Sequence, residues 1–296
     1  MRAPAVLALA AAAALAVAAC APEDPTTSAP TDQPSATTPT ASSDPCATDG
    51  LPVRTKGKLT IATDQPVYGP WFEDDKPESG KGFEGAVAYA VAKEMGFEQP
   101  DVVWTRVKFN NAIQPGPKDF DFDINEFSIT EDRKKAVDFS SPYYDVSQAI
   151  IALEGSKIAN AESLADLKDA RLGAQVSTTS YSVITDLVKP TVEPRVFPNN
   201  DNAKLSLQNG QIDGLVVDLP TAFYMTGAEI EGSKVVGQFE LGQGTPEQFG
   251  LVLDKGSPLT TCVSRAVDAL REDGTLDDLA QEWLADVAGA PVLGPG

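Results

Sequence analysis

Two short stretches of this chain are suited to holding a small anion. Arg133 follows Glu131 and Asp132 in the first turn of a helix that Thr130 opens. Acids suit the positive end of a helix dipole and an arginine does not, so Arg133 needs a further reason to be there. Its planar guanidinium fork can grip a carboxylate through two hydrogen bonds; the alternative is a surface ion pair with a neighbouring acid. Ser177-Thr178-Thr179-Ser180 opens another helix, where free N–H groups and hydroxyls either form an anion site or serve as a simple N-cap. Asp218 ends an apolar strand, a place where aspartate is also a common turn former. There is no histidine, which excludes Ser-His-Asp and Cys-His catalysis and every histidine-containing metal site. Three cysteines are too few for a Cys-only zinc site, so neither metal nor cofactor is expected.

The elements that must position these groups read as two successive α/β series. Lys58-Leu59-Thr60-Ile61-Ala62-Thr63-Asp64 is a short strand, 85–96 an alanine-rich helix closed by Gly96, and 102–107 and 120–127 are further strands. Extended segments at 137–139 and 149–153 lead to the second series. It has a strand at 170–176, a helix at 181–188, a strand at 195–197, a helix at 202–209 and a strand at 214–218. A last strand at 248–253 precedes helices at 258–272 and 276–287. Strands alternating with helices imply mainly parallel sheets covered on both faces. Ligands of such sheets bind beyond the carboxyl ends of the strands. With 296 residues, 42% hydrophobic residues and a net charge of -20, the chain can fill two modest lobes. Its acidity argues against nucleic acid as a partner, because that affinity comes chiefly from Lys and Arg on phosphates.

The run Phe127-Ser128-Ile129-Thr130-Glu131-Asp132-Arg133-Lys134-Lys135-Ala136-Val137-Asp138-Phe139-Ser140-Ser141-Pro142-Tyr143-Tyr144 resembles the signature of the family 3 extracellular solute-binding proteins, receptors of amino-acid ABC importers. The resemblance extends over residues 57 to about 285. It takes in Thr63-Asp64, Gly82-Phe83-Glu84, Gln175-Val176-Ser177-Thr178-Thr179, Ile212-Asp213-Gly214 and Arg271-Glu272-Asp273-Gly274-Thr275-Leu276. It implies a two-lobed, type II periplasmic-binding-protein-like fold with a ligand cleft between the lobes. Lobe 1 would comprise 46–149 plus 252–290 and lobe 2 would comprise 150–251, with crossings near Ile150 and Leu251. The site implied holds a zwitterion. Arg133, Ser128, Thr178 and Thr179 would take the α-carboxylate, Asp218 the α-ammonium, and Tyr68, Trp71 and Phe109 would sandwich the side chain. Asp64 and Glu126 would face that side chain, and two carboxylates there favour a basic amino acid. Relatives carry glycine where Ser177 stands and often an uncharged residue where Glu126 stands.

The function implied is binding of a free amino acid by a monomer and delivery to an ABC permease. Two other readings use the same fold: a sensing receptor, and a cyclohexadienyl-dehydratase-like enzyme with Glu126 or Asp64 as its acid or base. The N-terminus agrees with export. Arg2 and the apolar run to Ala19 form a secretory signal over 1–19, and Val17-Ala18-Ala19-Cys20 resembles a lipobox, which makes Cys20 the site of lipid attachment. Residues 20–45, nearly all Pro, Thr, Ser and Ala, form a tether reaching ~75 Å when extended. The protein is thus expected on the outer face of the cytoplasmic membrane, held by its lipid alone. Cys46 and Cys262 remain. In an exported domain they most simply form a disulfide, the alternative being two unrelated buried thiols.

Overall fold

The computed structural model describes residues 44–239, 246–284 and 289–296. The signal segment, Cys20 and all of the tether up to 43 lie outside the described residues. None of the described helices is long and apolar enough to cross a membrane.

The first lobe is built on strands β1 (Leu59–Thr63), β2 (Val102–Arg106), β3 (Phe122–Asp123) and β4 (Val137–Val146), and it includes helices α1 (Phe83–Glu94) and α2 (Phe109–Ala112). The second lobe is built on β5 (Gln148–Leu153), β6 (Leu172–Gln175), β7 (Arg195–Phe197), β8 (Gly214–Asp218) and β9 (Ser233–Phe239). Its helices are α3 (Thr179–Ser182), which runs into a wider turn at Val183–Val188, α4 (Asn200–Gln208) and α5 (Leu219–Tyr224). Strand β10 (Glu247–Asp254) returns to the first lobe, followed by α6 (Thr260–Glu272) and α7 (Thr275–Leu284). Helix α1 buries Phe83, Val87, Ala88, Val91 and Ala92, a stripe at helical spacing that seats it on the first sheet.

The sheet orders are β2-β1-β3-β10-β4 and β7-β6-β8-β5-β9. In each, three neighbouring strands are parallel and the remaining pairings are antiparallel. Both sheets are therefore mixed, where alternation along the chain suggested mainly parallel ones. The cause is the crossing strands. β5 enters the second lobe and β10 re-enters the first from the cleft side, so each runs against the parallel strands, and each takes the fourth place in its sheet. The sheet changes between Val146 and Gln148 on the outward pass and between Phe239 and Glu247 on the return, so Ile150 and Leu251 lie inside strands. Each sheet has apolar clusters on both faces.

The end of the chain packs on the second lobe. Leu293 N–H donates to Gln238 O at 2.9 Å, Gln238 N–H to Pro291 O at 2.8 Å, and Leu293 and Ala290 are buried against that lobe's apolar clusters. Ala290, expected with the first lobe, thus sits on the second, because the edge of β9 offers it both backbone partners and apolar cover. At the other end, Cys46 and Cys262 are disulfide-bonded, Cα to Cα 5.4 Å, tying the start of the domain to α6. Arg265 clasps both oxygens of Asp44 at 2.8 and 3.0 Å beside it.

Candidate functional site

The carboxyl ends of the parallel strands face one cleft of about 520 Å³, open mouth included. After β1 comes Asp64; after β3 come Asn125, Glu126 and Ser128; after β6 come Thr178 and Thr179; β8 ends in Asp218, and all of them line the cleft. The two lobes also touch across it. Ser128 Oγ lies 3.2 Å from Thr179 Oγ1, Arg133 Nη2 donates to Ser177 O at 2.8 Å, and Trp71 Nε1 donates to Thr221 Oγ1 at 2.7 Å.

At one end stands Arg133. The turn that holds it is short, Arg133–Lys135, and Thr130 Oγ1 accepts its backbone N–H at 3.2 Å. Thr130 thus braces the turn from outside it, and Asp132, rather than the expected Thr130, stands at the N-cap. The guanidinium is anchored rather than free: Nη1 donates to Ser128 O at 2.8 Å, and Cζ lies 5.5 Å from the centre of the Phe109 ring. Burial lowers its pKa to about 10 against the pull of Glu247 and Asp218, so it stays cationic at neutral pH. Thr178 caps α3: its hydroxyl donates to Gln175 O at 2.7 Å and accepts the N–H of Tyr181 at 3.3 Å. The capping and anion readings of this helix start are compatible, because the first N–H groups of a helix have no acceptor within it. Ser177 adopts a φ of 64°, the left-handed conformation that favours glycine, and this turns its carbonyl to Arg133.

The other end is acidic. Asp218 and Glu126 approach each other from opposite lobes within hydrogen-bonding contact. Thr221 Oγ1 donates to Glu126 Oε2 at 3.0 Å. Glu126 has a φ of 51°, and its N–H donates to Glu84 Oε1 at 2.6 Å, which also accepts from the Tyr143 hydroxyl. Gly82 makes room for this. It has a φ of 89°, and a Cβ there would lie 2.4 Å from Trp71 O, so α1 can start close beneath the cleft and bring Glu84 to it. Burial raises the carboxyls of Glu126 and Asp218 far above the usual range, with neighbouring carboxylates adding to it. Burial also raises Glu84, to about 7. Gln148, fully buried, links this end to the crossing strand: Nε2 donates to Asp218 Oδ1 and, at 3.1 Å, to Glu247 Oε2, while Oε1 accepts from Ser180 Oγ at 2.7 Å.

Between the ends lie the aromatics and Asp64. Phe109 stacks on Phe127 at 4.7 Å, leaving its other face toward Arg133. Tyr68 lines the cleft, and its buried hydroxyl has no hydrogen-bond partner. Asp64 accepts the N–H of Gln65 at 2.6 Å and of Phe109 at 3.2 Å, and burial raises its pKa. Trp71 is placed elsewhere. It is fully buried in the first lobe's core, edge-on to Phe83, Tyr144 and Phe249. Its side chain reaches the site only through Thr221. Pro66, Asn125, Gln175, Ser180, Asn200 and Val217 also line the cleft. Most sit within two residues of a group already singled out, so reading whole strand ends rather than single residues finds them. Gln148 and Glu247, by contrast, carry no signal along the chain, because their role comes from the crossing strands meeting in space.

Residues 59–286 match the bacterial extracellular solute-binding proteins, family 3. The chain belongs to that family. The ABC transporter arginine-binding protein 1 of Escherichia coli (strain K12) is 31% identical over 68% of this chain and 81% of its own length. The ABC transporter glutamine-binding protein of Bacillus subtilis (strain 168) is 28% identical over 76% and 80%. Among solved structures, an ancestral arginine-binding protein bound to arginine superposes with a TM-score of 0.63 at 31% identity, covering 77% of this chain and 98% of that one. The fold of this solute-binding protein is thus the two-lobed one of the periplasmic amino-acid receptors.

Proposed function

We propose that this solute-binding protein captures a free amino acid, a basic one foremost, in the cleft and delivers it to an ABC permease. The observation that carries the reading is the charge arrangement. One anchored guanidinium, Arg133, stands at one end, and three carboxyls, Asp64, Glu126 and Asp218, line the rest. A zwitterion offers one carboxylate for the first and one ammonium for Asp218. A positively charged side chain answers the surplus acid at Asp64. Ser128, Thr178 and Thr179 supply further hydroxyls and N–H groups for the carboxylate, while Tyr68 and Phe109 contact the side chain. Relatives named for arginine and glutamine support the ligand class. Export through residues 1–19, lipid attachment at Cys20, action as a monomer and contact with a permease belong to the same proposal.

A thermal-shift panel of the common amino acids, ornithine, citrulline, polyamines and small sugars tests it. A ligand at 100 times its Kd stabilises by ~2.7 kcal/mol, or roughly 5–11 °C for a domain of this size. Shifts confined to amino acids, largest for basic ones, are expected; no amino-acid shift from folded protein contradicts the reading. One observation favours a second reading, a dehydratase. Burial pushes the Glu126 carboxyl well above the usual range inside a cleft, which suits it to act as an acid, and one similar structure is an ancestral amino-acid-binding protein described as a precursor of cyclohexadienyl dehydratase. Turnover of arogenate or prephenate would decide for it, and unchanged substrate against it.

A further inference from the structure

The pairing of Glu126 with Asp218 has a consequence for what must leave when a ligand enters. Two carboxyl groups in hydrogen-bonding contact cannot both be ionised, because nothing would then lie between the facing oxygens except like charge. The other oxygens are already supplied: Thr221 Oγ1 donates to Glu126, and Gln148 Nε2 donates to Asp218. One proton must therefore sit between the two. The groups around the pair keep it there. Glu84 approaches from α1, with the Tyr143 hydroxyl of β4 on its Oε1 and its Oε2 buried without a partner. Glu247 stands behind Asp218 on β10, bridged to it by Gln148. Among the described residues, the cation acting on this cluster is Arg133, whose fork donates to the carbonyls of Ser128 and Ser177 and which attracts Asp218 and Glu247.

We propose that a ligand's α-ammonium replaces the proton shared by Glu126 and Asp218, so that each amino acid bound expels one proton, and that Glu126 is the residue that makes binding proton-linked. This rests on the amino-acid reading of the cleft. The balance is simple: the carboxyl pair gives up its proton to the buffer, both groups become carboxylates, and the ammonium keeps its three hydrogens and donates to both. Burial and the neighbouring carboxylates push the pair's titration far above the ordinary carboxylate range. Its proton is therefore held in the free protein at neutral pH and lost on binding. One proton released per ligand makes Kd fall about tenfold for each unit of pH rise below that titration, and level off above it. An acidified surrounding would loosen the ligand, and a neutral one would retain it.

The test is calorimetric titration of the full chain with L-arginine, and separately L-glutamine, at pH 7 in two buffers of different ionisation enthalpy, repeated at pH 6 and 8. The expected result is about one proton released per ligand and a Kd about tenfold weaker at pH 6 than at pH 7. In Glu126→Gln the amide donates to Asp218 without a titrating proton, so proton release falls to near zero and Kd becomes flat over this range. Binding by the wild-type chain with no proton release and a pH-independent Kd overturns the inference and leaves the amino-acid reading standing. No binding of either amino acid at any pH overturns both. The wild-type measurement decides without the variant, should Glu126→Gln not fold.

Discussion

Strand β8 has an aspartate just before one end and another at the other, and the two could hardly differ more. Asp213 precedes the strand, faces away from the cleft and is 9% exposed. Burial works against its charge, but Arg171 donates to it from the backbone at 2.8 Å and from its guanidinium, with Lys157 at 3.3 Å, and its pKa falls to about 2. Asp218, five residues on, is half-buried at the cleft near Glu126, Glu84 and Glu247, and its pKa rises. The same residue type on the same strand is satisfied by its own fold at one end and left in need of a cation at the other. Stability is built into the first site. Binding capacity is stored in the second, because the charge that would satisfy it must come from outside.

The largest expected effect breaks the second half of this contrast. Asp218→Ala should weaken amino-acid binding by about 30-fold or more, since removing one partner of a desolvated charge pair costs roughly 2–5 kcal/mol. It should leave the thermal stability of the ligand-free protein unchanged or higher, because it relieves a buried acidic cluster; calorimetric titration and a thermal scan check the two halves.

Next in size is the pH dependence of stability without ligand. Glu84 is fully buried, and its carboxyl rises from an ordinary 4.5 to about 7 in the folded chain. The folded state then holds a proton that the unfolded state releases. The contribution of Glu84 to stability is fully present below 4.5, falls by about 1.4 kcal/mol per pH unit above it, and levels off beyond 7. Thermal unfolding at pH 5, 6, 7 and 8 should show the decline, and Glu84→Gln should make it shallower, leaving the part with the same sign that Glu126 and Asp218 contribute. Asp213 has the opposite sign: its depressed pKa contributes stability above 3.8 that is lost as pH falls toward 2.

Asp213→Asn should cost about 1–2 kcal/mol, the value of charged hydrogen bonds discounted for the exposed Arg171 and Lys157, with ligand affinity unchanged. Urea unfolding and one titration distinguish it cleanly from Asp218→Ala. The smallest effect is at Ser177. Glycine accepts a φ of 64° without strain, so Ser177→Gly should stabilise by about 0.5 kcal/mol, the relief being partly offset by a freer unfolded chain; a differential scan reads it.

Most of this was legible along the chain, and the reasons for the rest are physical. Apolar runs and capping residues placed nine of the ten strands, and family-specific spacing placed Arg133 and Asp218 at one cleft. Strand β9 and helices α2 and α5 escaped because Ser233–Phe239 is interrupted by Gly237, because Phe109–Ala112 is a single turn, and because Asp218 reads as the end of an element rather than the start of the next. Trp71 matched an aromatic position by its place in the sequence. Its depth is set by Phe83, Tyr144 and Phe249, which come from three distant segments. Glu126 was expected beside Asp64 at the side-chain end. A left-handed backbone, fixed by Glu84, aims it across the cleft at Asp218 and Thr221 instead. Long-range hydrogen bonds of this kind leave no periodic trace in a sequence.

The most direct test is a titration of the wild-type chain, Asp218→Ala and Asp213→Asn with L-arginine under one set of conditions. Tight binding by wild type and Asp213→Asn, with a loss of about 30-fold or more in Asp218→Ala, is expected if the cleft is an amino-acid site completed by an outside cation. Equal binding by all three proteins, or none by the folded wild type with any amino acid, would contradict it.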